Sequence, residues 1–415
     1  MTLYKKKKKD WYLIIPTLFA LFVLYIIFLP KEYFEGDFGF WTNWCSQMMD
    51  FGLTSVYESG CNYHPIFLYF LYGFGKICGS NEMLFEQINY IKIIPLIFDF
   101  IGVLAFLYFF KNQKKSIFLP LFLILNLAYL YNTMFWGQVD SIYTTLSLLS
   151  IIFALLGNIN LAVVFIVFAF NSKLQAIIFL PIFGLVLLPD VIKNPKKIVY
   201  LFAFGFVTQL MILMPFILKG KVGQVISVFT GGVDHYTNVS LFANNIWYLF
   251  LWNKECYFVE DSTTFMGFSY KNIGLVLFLC SSFLSLLPLF LRTIKLLKGQ
   301  SDEKKEQYNE LVFFSCLLTI WNFFYFNTQM HERYSHALII FCFFYGFLSK
   351  NWFLYIIATL GLLLNMTRVF PFAEYDVTKY FFYNQHFISI VFGLGLLYGY
   401  YLLFSKYYIK NGFRN

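Results

Sequence analysis

An apolar run of about twenty residues is long enough to cross the ~30 Å hydrocarbon core of a bilayer as one helix, and this chain has many such runs. Residues 11–30, 90–110, 116–135, 140–156, 159–172, 174–189, 198–218, 272–294, 309–327, 334–349, 351–369 and 386–405 are all strongly apolar. The sequence therefore predicts an all-α polytopic membrane protein, with about twelve transmembrane helices in one domain covering residues 1–415. Apolar residues make up 59% of the chain and charged residues only 13%, too little polar side chain to coat a soluble fold. The same composition excludes a disordered chain, a coiled coil and a disulfide-rich secreted module. Nucleic acid is excluded as a partner, because the aromatic residues lie inside apolar runs rather than along a basic stripe.

The seven cysteines, at 45, 61, 78, 256, 280, 316 and 342, form no CxxC pair and so no zinc or haem signature. Cys45 and Cys61 share one connecting segment; they either pair, in an oxidising compartment, or remain thiols. Lys5 to Lys9 precede the first apolar run, and no small-x-small cleavage site follows it, so the run reads as an uncleaved anchor.

Charge then orients the spans. With the N-terminus in the cytoplasm, about two thirds of the 31 cations fall on the cytoplasmic side, in clusters such as Lys111–Lys114–Lys115 and Lys193–Lys196–Lys197. Most acids fall opposite. This holds only if residues 64–79, a short run broken by Tyr, Gly and Lys, form a helix along the membrane surface rather than a further span. Two long segments, 31–90 and 219–271, are then external, and their aromatic content predicts that they fold.

The unusual polar residues gather on that external side. They are Asp37 after the first span, Asn62-Tyr63-His64-Pro65 opening the surface helix, and Trp136-Gly137-Gln138-Val139-Asp140-Ser141 between two spans. Further on come Ser172-Lys173-Leu174-Gln175, Asn244-Asn245 and His331-Glu332-Arg333-Tyr334. Taken singly, each has an ordinary reading: an interfacial acid, a Trp anchor, cations that snorkel to headgroups. Together they supply an acid to deprotonate a hydroxyl, cations to hold a phosphate, and amides and aromatic faces to hold a sugar. Asp99 lies inside a span, so it needs a partner; Lys92 and Lys173 are the candidates. No His/Asp/Glu cluster with metal-ligand spacing is visible. Asp37 with Asp140 could hold a divalent ion, but a site without metal is the favoured reading.

The segments GDFGFW, NYHPIFLY, WGQVDS, SKLQ, FANNIW and HERY, in this order from Asp37 to Tyr334, resemble the GT-C glycosyltransferases. The resemblance is strongest to bacterial mannosyltransferase-like proteins related to GPI mannosyltransferase II. It implies a polyprenyl-phosphate sugar donor, transfer of a hexose such as mannose to a glycan, glycolipid or protein acceptor, and inversion at the anomeric carbon. By the same resemblance Asp37 and Asp140 are catalytic, with Asp37 the base. Gln138, Lys173, Gln175, His331, Glu332 and Arg333 would contact the donor phosphate and sugar. Tyr63, His64 and Asn245 would stand on the acceptor side. His64 departs from the family, which usually has Pro there. The resemblance and the Lys-rich, Arg-poor composition suggest a bacterial cytoplasmic membrane, with the site facing the exterior. Two other functions are open to such a chain: a transporter or flippase for a lipid-linked sugar, and a non-catalytic scaffold. Both predict that Asp37→Asn is tolerated.

Overall fold

The computed structural model describes residues 2–113, 118–232, 236–300, 304–372 and 376–409, with side chains from Tyr12 to Tyr408. The expected cytoplasmic residues Lys114, Lys115, Asp302, Glu303, Lys410 and Arg414, and the side chains of Lys5 to Lys9, lie outside the described residues.

The chain is mostly helical. After α1 (Thr2–Ile27) come α2 (Glu35–Phe51), α3 (Pro65–Cys78), α4 (Asn81–Gln87) and α5 (Ile93–Phe109). The single-turn helices α6 (Leu121–Ile124) and α7 (Leu127–Leu130) lead into a π-helical turn at Tyr131–Phe135. Then follow α8 (Asp140–Leu155), α9 (Ile159–Phe170), α10 (Leu180–Lys193), α11 (Lys196–Leu218) and α12 (Val222–Gly231). The last group is α13 (Ile246–Phe250), α14 (Tyr270–Leu297), α15 (Lys305–Phe326), α16 (Ala337–Ser349), α17 (Phe353–Val369) and α18 (Gln385–Leu402).

Among the described residues, 6 helices are long and apolar enough to cross a membrane: 81–109, 174–193, 196–218, 270–297, 305–326 and 385–408. Apolar helices of 10–17 residues cover 12–27, 140–155, 159–170, 337–349 and 353–369, shorter than the spans expected there. The expected span at 116–135 is not one helix. Asn126 accepts from Tyr129 N–H and so caps a new turn, breaking the run into pieces.

Burial differs sharply between helices. α15 and α16 are buried almost throughout and form the centre of the bundle. α11 buries only Thr208, Ile212 and Phe216 and turns Phe202, Phe206 and Met211 outward. An outer surface of that kind is stable against lipid and not against water.

Both long connecting segments are folded, as their composition predicts. Residues 31–90 hold α2, α3 and α4, and residues 219–271 hold α12, α13 and three short strands, which enter two strand pairs. In the first, β1 (Ser240–Leu241) runs parallel to β4 (Met330–His331), with Leu241 opposite His331. In the second, β2 (Thr264–Phe265) turns through Met266 and Gly267, both at positive φ, into β3 (Phe268–Ser269). Residues 65–78 form the helix expected for the surface run, started by Pro65 at its first position and closed by left-handed Gly79. Cys45 and Cys61 are free thiols: Cys45 Sγ meets Leu71 O at 3.2 Å and Cys61 Sγ accepts from Tyr63 N.

Candidate functional site

The site starts from two acids at the N-terminal ends of helices, where backbone N–H groups favour negative charge. Asp37 lies in the first turn of α2 and is half-buried. Asp140 opens α8 and has no exposed surface. Gly137 brings them together. Its φ of 80° is open to glycine, and a Cβ there would come within 2.5 Å of the Phe38 ring. This close approach sets the next side chain, Gln138, against α2, where its Nε2 donates to Asp37 Oδ2.

Asp140 is the hub of the charges. Lys173 Nζ donates to its Oδ1, and Arg333 Nε stands 3.7 Å from its Oδ2. Arg333 Nη1 also donates to Glu332 at 2.6 Å, so the guanidinium bridges two carboxylates. Burial opposes ionisation of Glu332, but the Arg333 charge outweighs it and holds that carboxyl at about 2. His331, on β4, has its Nδ1 3.4 Å from Arg333 Nη1 and is kept below its usual pKa by burial and that cation. The Lys173 ammonium lies 4.7 Å from the Tyr334 ring and 5.7 Å from Tyr143, so aromatic faces line the cationic end.

Tyr63 packs on Trp41 and Trp44 beside this group, and Asp37, Arg333 and Asp140 all bear on its hydroxyl. His64 is buried, stacked on Phe229 at 4.3 Å, and its Nδ1 has no hydrogen-bond partner among the described residues. Burial and then Lys173 push its pKa down to about 4, so the ring is neutral at pH 7. Gln175 is half-buried two residues beyond Lys173, and its side chain makes no hydrogen bond to the described residues. Asn245 is committed to the scaffold: its Nδ2 donates to Phe324 O and Asn327 O, and its Oδ1 caps α13.

Asp99 pairs with neither expected cation. Lys92 turns away and donates to the carbonyls of Pro30 and Glu32, and Lys173 belongs to Asp140. Asp99 is buried instead beside the hydroxyls of Tyr129, Thr133 and Ser141. Among the described residues no three His, Cys, Asp or Glu side chains gather as metal ligands.

Sequence reading missed two groups. Asn365 donates to Glu332 O at 2.6 Å and accepts from Asn244 Nδ2 and N, tying the HERY turn to the 240s segment. His336 stacks on Tyr129 at 4.7 Å, and neither ring nitrogen has a hydrogen-bond partner among the described residues. A His at the mouth of an apolar run was the available signal for it. Two non-glycine residues at positive φ, Phe242 and Gln329, flank the β1–β4 pairing that holds His331, as strained backbone often does at working sites.

No known family profile matches the chain, and no curated protein does.

Proposed function

We propose that the protein is an inverting, integral-membrane glycosyltransferase that takes a hexose, mannose by resemblance, from a polyprenyl-phosphate donor. Its acceptor is a glycan, glycolipid or protein on the non-cytoplasmic side. One observation carries this reading: two carboxylates with different surroundings share one site. Asp140 is held between Lys173 and Arg333, whereas Asp37 meets an amide, Gln138, and keeps no ion pair among the described residues. A base must be free to take a proton, and a phosphate needs cations already in place as its charge develops.

In the proposed reaction Asp37 takes the proton of the acceptor hydroxyl as that oxygen bonds to the anomeric carbon. The bond from that carbon to the lipid phosphate oxygen breaks on the opposite face, and its electron pair leaves with the phosphate. Lys173 and Arg333 face that departing charge, Arg with its planar fork and Lys as a point charge. Asp140 positions both cations rather than reacting. With one base and no covalent intermediate, the configuration inverts.

The test is donor consumption. Purified wild type and Asp37→Asn would be incubated with a panel of polyprenyl-phosphate hexoses and a lipid extract. Mass spectrometry would then follow free polyprenyl phosphate. Release by wild type with one sugar and none by the variant is the expected result. Equal release by the variant would sink the assignment of the base.

A further inference from the structure

Helices α3, α5, α8, α9 and α11 line an open groove of about 970 Å³. Its walls are almost wholly apolar and include Ile66, Phe98, Leu146, Phe165 and Ile212. Tyr69 turns its ring to this space because its hydroxyl is already used, donating to Ile212 O at 2.7 Å and locking α3 to α11. One end of the groove is different. Phe51, Thr54 and Lys219 line it and also line a second, polar groove of about 350 Å³ with Gln47, Ser55, Glu58 and Lys221.

The charges at that junction do not cancel. Lys221 Nζ pairs with Glu58 at 2.6 Å. Lys219 is exposed and makes neither an ion pair nor a side-chain hydrogen bond among the described residues. An apolar groove therefore adjoins a small polar one with one uncompensated cation at the join. Its complement is an amphipath with a long hydrocarbon chain and one negative charge.

We infer that this double groove is a binding site for an anionic phospholipid, its acyl chain in the apolar slot and its phosphodiester at Lys219. The occupant differs from the sugar donor. A phosphate at Lys219 meets Lys221, Ser55 and Gln47, and none of these belongs to the Asp140–Lys173–Arg333 group. A zwitterionic headgroup brings no net charge to the join and loses that attraction. The inference stands independently of the reaction proposed above, because it concerns a bound lipid and not turnover.

The experiment uses the full chain in detergent, stripped of lipid. It is mixed with phosphatidylglycerol or phosphatidylcholine of identical acyl chains, and retained lipid is counted by native mass spectrometry. One interfacial cation is worth ~1 kcal/mol toward an anionic headgroup, so phosphatidylglycerol should be retained about fivefold better. Lys219→Gln should bring the two lipids to parity. Met214→Trp, on the outward wall of the slot, should lower retention of both, and Lys173→Gln should change neither. Equal retention by wild type, or retention of neither lipid, overturns the site. So does a preference that survives Lys219→Gln but disappears in Lys173→Gln, which would place the phosphate at the buried charges. Displacement of phosphatidylglycerol by polyprenyl phosphate, abolished by Lys173→Gln, would make the slot the donor's own and refute a separate lipid.

Discussion

Replacing Lys173 by Met removes the cation bonded to Asp140 and leaves a carboxylate with no exposed surface. Breaking a buried pair from one side costs ~3–5 kcal/mol, because the remaining charge is uncompensated. Arg333 recovers part of this, since its Nε is 3.7 Å from Asp140 Oδ2. It recovers only part, because the same guanidinium already serves Glu332 at 2.6 Å. The expected loss for Lys173→Met is therefore about 3 kcal/mol, the low end of that range. Neutralising both partners removes the stranded charge as well as the attraction. The double variant Asp140→Asn with Lys173→Met should thus recover ~2 kcal/mol of the loss, to within ~1 kcal/mol of wild type. SDS-titrated unfolding in mixed micelles, followed by tryptophan fluorescence, measures all three proteins. A Lys173→Met variant as stable as wild type would refute the reasoning, and so would a double variant weaker than the single one.

Asp37→Asn should keep the fold and its Gln138 contact yet lower sugar transfer by ~10²–10⁴, the usual worth of a general base; steady-state rates of polyprenyl phosphate release measure it. Gly137→Ala forces a Cβ into the Phe38 ring at a φ of 80°, so it should lose both stability and transfer, whereas Gly184→Ala, where nothing stands within 4 Å, should lose neither. His64 is held neutral when folded, with a pKa of about 4 against ~6.5 unfolded, so its contribution is complete above pH 6.5 and is lost as pH falls toward 4. The full effect is ~3 kcal/mol, and in unfolding titrations from pH 7 to pH 4 the variant His64→Phe should show a shallower acid loss than wild type. Asn365→Ala should cost about 1–3 kcal/mol by orphaning Glu332 O and Asn244, read as a lower unfolding midpoint.

Much of the site was legible because polar residues are scarce in this chain and those that interrupt apolar runs stand out. Gln138 and Asp140 sit in one turn, and Lys173 and Arg333 each lie beside a helix start, so the grouping of these residues with Asp37 could be read from the apolar pattern and the side assigned to each connection. The partner of Lys92 could not. Lys92 ends the 3₁₀ turn Ile88–Lys92, about two helical turns from Asp99, and its ammonium reaches the carbonyls of Pro30 and Glu32 instead. The break at 118–135 was hidden for a similar reason. It rests on a single side chain, Asn126, which caps locally and also donates to Tyr355 and Thr359 on a distant helix. Asn245 illustrates the opposite error: an amide in an unusual motif drew attention, yet its hydrogen bonds all go to backbone.

The spacing of the charged partners along the chain bears on how the molecule is made. Lys173 follows Asp140 by only 33 residues, so a helical hairpin of α8 and α9 can carry the acid and its cation together. Each then neutralises the other before the rest of the bundle exists, which lightens the penalty of bringing either into the bilayer alone. Asp37 waits 101 residues for Gln138, and Arg333 arrives only after β4 is synthesised and finds β1. The guanidinium is thus the last charge to join. A nascent chain halted before α15 would hold a neutral Asp140–Lys173 pair and an idle Asp37. Such a chain is tolerable to the membrane but lacks the second cation that the proposed reaction places at the departing phosphate, so on that proposal the half-made protein would be inactive.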